Sequence, residues 1–579
     1  MSAKHFVNDP THLVSSALHS LTLTNPSIAL DLESKVLYRR PDSNANPQVS
    51  IISGGGSGHE PSFAGMVGKG MLSAAVAGTI FASPSAEQVR TAITSRVDTS
   101  KGVLVTVMNY TGDVLNFGMA VEKGKAAGLD VEMVVVGDDV GVGRAKAGKV
   151  GRRGIAGTVL VLKIAGALAA LGKPLEQVAK YAQLTADNLV SVGASLEHVH
   201  VPGRKPDSEG SLAADEVEMG MGIHNEPGSG RVKVELPELV SKMLQQLLDT
   251  NDKDRAFVNV NSKEVVLMIN NLGGVSVLEM GGITAEVAGQ LESKYSICPA
   301  RILSGTYMTS LNGLGFSISL LNVLPPSFDA PSMIELLDAP SEVVGWSAPV
   351  QTSTWEAKNT NTRTDRVGAT GDINPSGLKM DASAAQAVLK NALQKVIDVE
   401  PEVTRYDTVV GDGDCGIGLK RGAEAIIKHI EERPLTGDVV VDLARIVSIV
   451  ETAMDGTSGA LYAIFLNALV KALRELAPGS ASPEIWAKAL KKSSDALARY
   501  TPARPGDRTL VDALHPFVEA LNQTGDVKKA AEAALEGANK TKGMEASLGR
   551  TVYIGGSGYQ EVPDPGAWGL ASFFLGLSR

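Results

Sequence analysis

Hydrophobic periodicity changes once along this chain, and that change limits the folds open to it. Up to residue 335, short β-rich runs at 49–52, 103–107, 131–136 and 265–269 alternate with helical patterns. Runs that are largely apolar, without a strict apolar–polar alternation, predict strands of a sheet covered on both faces. Beyond residue 378 the period is helical: Leu389, Leu393, Val396 and Ile397 recur at three- and four-residue spacing, and similar stretches occupy 421–432, 439–454, 459–476, 484–499, 510–522 and 527–540. Residues between, with Trp346, Trp355 and the polar run 359–364, show no period. The expectation is therefore a multidomain chain, α/β over 1–335 and all-α over 379–579, joined by a linker over 336–378. A length of 579 residues agrees, because one hydrophobic core does not serve a chain that long.

Within the helical part, Asp407, Asp412 and Asp414 fall inside eight residues, interleaved with Gly411, Gly413, Gly416 and Gly418. Carboxylates that close repel one another unless a cation lies between them. Glycines let the backbone come near a ligand, so that its amides can meet an oxyanion. A divalent metal with a phosphate suits this loop, and a solvated acidic loop is the alternative. Two familiar templates fail. An EF-hand begun at Asp412 needs Gly at its sixth position and Glu at its twelfth, where the chain has Ile417 and Ala423. The segment 143–150 has P-loop spacing but ends in Val150, which has no hydroxyl to hold Mg²⁺.

The formal net charge of −10 argues against a nucleic-acid surface, which is built from Lys and Arg clusters. An anionic ligand must therefore be held by metal or by amides. The two cysteines, Cys298 and Cys415, lie far apart, and a disulfide at Cys415 would distort the acidic loop, so a reducing cytoplasm is expected. The first ten residues lack the basic-then-apolar pattern of a signal peptide. The longest apolar run, 158–171, is broken by Lys163 and is too short for a membrane span, so no membrane partner is expected.

In the α/β part, the run Gly54-Gly55-Gly56-Ser57-Gly58-His59-Glu60 follows one predicted strand, and Asn109-Tyr110-Thr111-Gly112-Asp113 follows another. Open α/β sheets hold ligands at the carboxyl ends of their strands. A site there would hold His59 and Asp113 together, with His59 taking a proton from a hydroxyl and Asp113 orienting it or sharing that role. A tight glycine turn is the alternative. A dinucleotide fold is not expected, because His59 stands where the last glycine of its fingerprint belongs. His224, bracketed by glycines in 219–230, reads as a structural hydrogen-bonder. His198 and His200 alternate as metal ligands can, but no third ligand is near them in sequence.

Taken in order, the motifs at 53–61, 109–113, 220–224, 270–274, 411–416, 458–462, 505–509 and 563–566 resemble those of the single-chain, ATP-dependent dihydroxyacetone (glycerone) kinases, the triokinases among them. The resemblance implies an N-terminal substrate domain of two α/β subdomains, a C-terminal helical barrel that binds ATP, and a homodimer. It implies phosphorylation of dihydroxyacetone, with D-glyceraldehyde as a second substrate. By the same resemblance His224 forms a covalent hemiaminal with the substrate carbonyl. Gly56, Ser57, Gly58 and His59 line the triose, and His59 with Asp113 deprotonates the attacking hydroxyl. Asp407, Asp412 and Asp414 match ligands of two Mg²⁺ ions bridging the ATP phosphates. Nucleotide contacts fall to Asp414, Cys415, Gly416, Ile417, Thr457, Ser458, Thr501, Thr509, Leu510, Asp564, Pro565 and Gly566. Some family members also split FAD into AMP and cyclic FMN.

Three positions depart from the pattern. Met108 stands where lysine is usual, Ile417 where threonine or serine is, and Asp455 where glycine is. A thioether cannot donate a hydrogen bond, so Met108 is expected to weaken contact with the triose.

Overall fold

The computed structural model describes residues 4–44, 46–205, 211–347, 350–363, 374–548 and 558–578. It divides into two compact units, Met1–Thr362 and Arg363–Arg579.

Among the described residues, the first unit contains twelve strands: β1 (Ile28–Asp31), β2 (Val36–Arg39), β3 (Ser50–Ser57), β4 (Ala74–Ile80), β5 (Val103–Met108), β6 (Val131–Val136), β7 (Leu189–Ser195), β8 (Val217–Met219), β9 (Gly230–Val232), β10 (Val265–Asn271), β11 (Arg301–Gly305) and β12 (Gly315–Asn322). They form two six-stranded sheets, ordered β1-β2-β4-β3-β5-β6 and β11-β10-β12-β7-β8-β9. In the first sheet β4, β3, β5 and β6 run parallel, with β1 and β2 antiparallel at one edge. The second is antiparallel apart from the β10–β11 pair. Strands β5 and β10 are buried at every position, as continuous apolar runs require. The helix Thr158–Ala170 is apolar almost all round because it is enclosed: one core joins Ile51 and Leu104 of the first sheet to Met268 and Leu321 of the second through it.

The glycine run before His59 is strand and not turn. Strand β3 continues through Ser57, and a Cβ at Gly54 would lie 2.2 Å from the Val76 carbonyl oxygen, while one at Gly56 would lie 2.7 Å from the Ala82 nitrogen. Glycine is needed because β4 and the turn after it come that close. The chain turns at Gly58, whose φ is +104°. Asp113, expected at a strand end, lies instead in the first turn of the helix Thr111–Ala126 that follows β5.

The predicted linker is structured at its start. Leu336 and Leu337 are buried in the helix Met333–Asp338. The Gly345 amide donates to the Gly65 carbonyl at 2.8 Å, and the Tyr307 hydroxyl donates to the Ser347 carbonyl at 2.9 Å. The fully buried Lys163 donates to the Leu336 carbonyl at 2.7 Å. A short helix, Thr352–Ala357, follows, and residues 348–349 and 364–373 of the linker lie outside the described residues.

The second unit holds helices Ala382–Val410, Cys415–Glu432, Val439–Ala453, Gly456–Leu476, Pro483–Leu497, Val511–Thr524, Val527–Lys540 and Pro565–Leu577. Each predicted helical stretch lies in one of these or overruns its end by no more than two residues. The last was not read from the sequence, although Asp564 caps it and Pro565 occupies its first position. The first helix runs past Pro401 to Val410, which places Asp407 on a helix and not in the loop. Around the middle of the unit the helices line an apolar cavity of about 640 Å³, with Leu389, Val450, Phe465, Trp486 and Phe573 among its walls. The helix Gly456–Leu476 is by length and composition apolar enough to cross a membrane, contrary to the expectation that no run reaches that length; its Phe465, Leu466 and Leu469 face this cavity.

Candidate active site

In the first unit the connections after β3, β5, β8 and β11 converge. His59 follows β3 and is fully buried. Its Nδ1 lies 2.8 Å from the Thr309 carbonyl oxygen, and its Nε2 lies 3.0 Å from Nε2 of His224, which sits in the β8–β9 connection. The His224 ring stands edge-on to three others, with centroids 4.8 Å from His59, 5.1 Å from Phe81 and 4.9 Å from Tyr110. On its far side, Nδ1 is 2.9 Å from Glu226 Oε1, and the His224 amide donates to Glu226 Oε2 at 2.8 Å. His224 is therefore held at both nitrogens. The sequence alone suggested a structural hydrogen-bonder; the fold places it in contact with His59.

The electrostatics follow from burial and from these contacts. Burial, reinforced by the charge of His224, lowers the His59 pKa to about 3, so the ring is neutral at physiological pH. Burial opposes ionisation of Glu226, but the hydrogen bond and charge of His224 outweigh it and draw the carboxyl down to about 2. Asp113 is 6% exposed, and burial raises its pKa against a Ser83 hydrogen bond and the field of His224. Its Oδ1 has no protein partner and lies 3.9 Å from where a Gly55 Cβ would stand. A buried, unsatisfied carboxylate oxygen beside a glycine strand suits a ligand hydroxyl. Strands β3 and β5 are parallel neighbours, so His59 and Asp113 issue from the same end of the sheet.

The residues expected to line a triose keep the backbone close. The Ser57 hydroxyl donates to the Gly78 carbonyl at 2.9 Å, the Gly58 amide donates to Glu60 Oε2 at 2.9 Å, and the Gly58 carbonyl accepts from the Leu311 amide at 2.7 Å. Gly56 lies against Phe81 and Ala82. Met108 ends β5, 1% exposed, in the same core as Val136 and Ile155. His200 is bound to His5 at 2.8 Å and to the Arg204 carbonyl at 2.9 Å, and His198 faces Glu218, so neither belongs to a three-ligand group among the described residues.

In the second unit, Asp407, Asp412 and Asp414 each offer a carboxylate oxygen, all within 4.8 Å of one another. Asp412 and Asp414 are exposed, whereas Asp407 is buried and accepts the Cys415 amide at 2.9 Å. A Cβ at Gly416 would lie 2.3 Å from Thr404 Oγ1, so glycine is what lets the helix Cys415–Glu432 begin against the helix Ala382–Val410. Cys415 Sγ is 3.7 Å from the Ser458 hydroxyl, which joins the acidic loop to Thr457 and Ser458 at the start of the helix Gly456–Leu476. Burial, with Asp407, Asp564 and Asp414 near, pushes the Cys415 thiol up to about 12, which keeps it protonated. Asp564 is raised to about 6 by burial, with Asp512 and Asp407 adding to the rise and Arg508 opposing it. A Cβ at Gly566 would lie 3.5 Å from that of Leu510, and the Thr509 amide donates to Asp512 at 2.8 Å. Residues 414–417, 457–458, 509–510 and 564–566 thus gather around the carboxylates. Thr501 is bonded within its own loop, to the Leu497 carbonyl, Ala503 and Arg504. Ile417 is 54% exposed, and Asp455 pairs with Arg421.

Two residues at these sites were not singled out from the sequence. Glu226, two places after His224, looked like any polar residue of a glycine loop. Arg508 is 2% exposed with a φ of +58°, and it donates to the Tyr559 and Val562 carbonyls at 2.7 and 2.8 Å. A basic residue between Asp507 and Thr509 gave no sign of burial.

Comparison with known proteins covers the chain from end to end. The Dak1 domain family matches residues 19–345 and the DAK2 domain family residues 409–579. Over its whole length the chain is 44% identical to dihydroxyacetone kinase 2 of Saccharomyces cerevisiae and 37% identical to triokinase/FMN cyclase of Homo sapiens, covering 99% of each. The crystal structure of the dihydroxyacetone kinase from C. freundii in complex with AMP-PNP and Mg²⁺ superposes with a TM-score of 0.65 at 32% identity, covering 100% of this chain and 99% of that one.

Proposed function

This chain belongs to the dihydroxyacetone kinase family, and on that premise we propose that it is a glycerone kinase that captures its substrate on His224 and phosphorylates it from ATP. The observation that carries the reading is the buried His59–His224 contact at 3.0 Å, beside an Asp113 oxygen without a protein partner. Attack of His224 Nε2 on a carbonyl carbon would hold a very small ligand firmly and select dihydroxyacetone and D-glyceraldehyde over glycerol, which has no carbonyl. His59 and Asp113 then take the proton of the free hydroxyl, whose oxygen forms the new bond to phosphorus as the bond to the ADP leaving group breaks.

Three carboxylates with oxygens within 4.8 Å of one another are hard donors of the kind Mg²⁺ takes, and we assign Asp407, Asp412 and Asp414 to two such ions with ATP. Bound there, Mg²⁺ would offset the negative charge of the phosphates. The starts of the helices Cys415–Glu432, Gly456–Leu476 and Pro565–Leu577 supply amides suited to an anion. The test is NMR of the full chain with dihydroxyacetone carrying ¹³C at its carbonyl. The carbonyl signal is expected to give way to that of a tetrahedral carbon in the wild type and not in His224→Asn. A persisting ketone signal in the wild type would refute covalent capture.

A second activity, splitting FAD to AMP and cyclic FMN at the nucleotide site, is favoured by the 37% identity to the human protein named triokinase/FMN cyclase. Incubation with FAD and Mn²⁺ decides it by the product that accompanies AMP: cyclic FMN for this activity, where hydrolysis of the diphosphate would give FMN.

A further inference from the structure

The loop that carries His224 is tied down at several points, and one of the ties comes from outside the sheet to which the loop belongs. The Ser310 hydroxyl donates to the Ile223 carbonyl at 2.6 Å, and the Asn225 side chain exchanges two hydrogen bonds of 2.9 Å with the backbone of Val199. Ser310 lies between β11 and β12 and Val199 between β7 and β8, so both belong to the second sheet, as the β8–β9 loop does. Arg153 differs. With Asp139 it lies in the connection that leaves β6 of the first sheet, and that connection bridges the two sheets, since the Val140 amide donates to the Ser191 carbonyl of β7 at 2.8 Å. Arg153 Nη2 donates to the Gly220 carbonyl at 2.8 Å, while Nε and Nη2 both hold Asp139 Oδ2, at 2.9 and 2.7 Å. Asp139 is 1% exposed, and its other oxygen accepts the Gly141 amide at 2.8 Å. A Cβ at Gly141 would lie 2.8 Å from the Gly220 Cα, so the two backbones touch where Arg153 joins them.

Gly222 marks a second point of contact. A Cβ there would lie 2.5 Å from Arg153 Nη1 and 2.0 Å from Glu226 Oε2. Guanidinium and carboxylate therefore stand side by side over one point of the loop backbone, and only a residue without a side chain leaves room for both. Opposite charges so placed hold one another in direction as well as in energy. Glu226 in turn takes the amide and Nδ1 of His224. The ties thus run from Asp139 through Arg153 to the loop, and through Glu226 to the imidazole.

We propose that Arg153, locked by Asp139, is a positioning residue for substrate capture: it registers the His224 loop against the first sheet and holds the Glu226 carboxylate over Gly222, so that His224 meets the carbonyl beside His59. The inference rests on the covalent capture proposed above. A ligand as small as dihydroxyacetone offers little contact area with which to order a loop, so the nucleophile has to be ordered before it arrives. His59 issues from the first sheet and His224 from the second, and their 3.0 Å contact needs the two sheets in register. Arg153 does not touch the substrate in this scheme.

Three variants of the full chain separate positioning from stability. Arg153→Met removes both charge and fork, and Arg153→Lys keeps the charge without the fork. Gly222→Ala sets a methyl group against Arg153 and Glu226, and its three nearest atoms all belong to the ends of those two side chains, so it displaces them while the backbone stays. Arg153→Met and Gly222→Ala are expected to raise KM for dihydroxyacetone by about tenfold or more, with KM for ATP unchanged and kcat within about threefold of wild type. The fraction of ¹³C-labelled dihydroxyacetone held as adduct below saturation should fall with them, and Arg153→Lys should restore part of both. The melting temperature of Gly222→Ala should stay near that of the wild type, so this variant decides if Arg153→Met does not fold. A wild-type KM for dihydroxyacetone in folded Gly222→Ala, or equal rises in KM for both substrates, overturns the proposal. If the wild type forms the adduct and the variants keep it undiminished, positioning by Arg153 alone falls; if the wild type forms none, covalent capture falls and this inference with it.

Discussion

His59 sits in an environment far from that of a free side chain. Fully buried, it keeps Nε2 as an acceptor because its Nδ1 proton is committed to Thr309. Replacement by Asn is expected to lower turnover by about 10²–10⁴, the usual range for loss of a general base, in an assay of ADP release; wild-type turnover would contradict its role. The same burial has a thermodynamic sign. A histidine whose folded pKa is about 3 against 6.5 unfolded contributes stability above pH 6.5, and that stability is lost as pH falls through this window, because the unfolded chain takes up a proton that the folded chain refuses. Wild-type unfolding temperature should therefore fall more steeply between pH 6.5 and 4 than that of His59→Asn. Met108 gives a contrasting case. At 1% exposure among Val136 and Ile155 it is well placed as a hydrophobe, so Met108→Lys should lower KM for dihydroxyacetone by adding a donor while lowering the melting temperature by burying an amine. Unchanged kinetics would show that this position does not reach the triose. Glu226 was not legible in the sequence because its importance depends on a histidine 165 residues away from His224 coming within 3.0 Å of it.

At the scale of elements, glycine positions explain both what the sequence revealed and what it concealed. A turn was one of two readings open for the run 54–56, because glycine is the usual turn residue, yet here it serves close strand packing, which only the neighbouring chain can disclose. Apolar runs in β5 and β10, and the helical period after residue 380, were legible because both arise within one segment. The helix Pro565–Leu577 was missed because its residues are apolar on all sides, buried among the others, so no period marks it. Gly416 offers a test. A methyl group there would stand 2.3 Å from Thr404 Oγ1 and 2.8 Å from the Glu400 carbonyl oxygen. Gly416→Ala is expected to cost about 1–3 kcal/mol in thermal or urea unfolding of the second unit, and to raise the Mg²⁺ concentration needed for half-maximal rate by displacing Asp414. Wild-type stability and Mg²⁺ dependence would mean that the two helices are not held as close as the glycine implies.

Across the whole molecule, the groups proposed to act on the acceptor and those proposed to hold the phosphates reside in different units, each with its own core: His59, Asp113 and His224 in the first, the three aspartates in the second. Neither set alone accounts for transfer of a phosphoryl group to a carbonyl-bearing triose. The most direct test is ADP release from ATP and Mg²⁺ by the full chain with dihydroxyacetone, D-glyceraldehyde and glycerol side by side. Turnover with both carbonyl trioses, none above background with glycerol, and loss of turnover in Asp407→Asn are predicted. Failure on both carbonyl trioses, or equal rates with glycerol, would contradict the account.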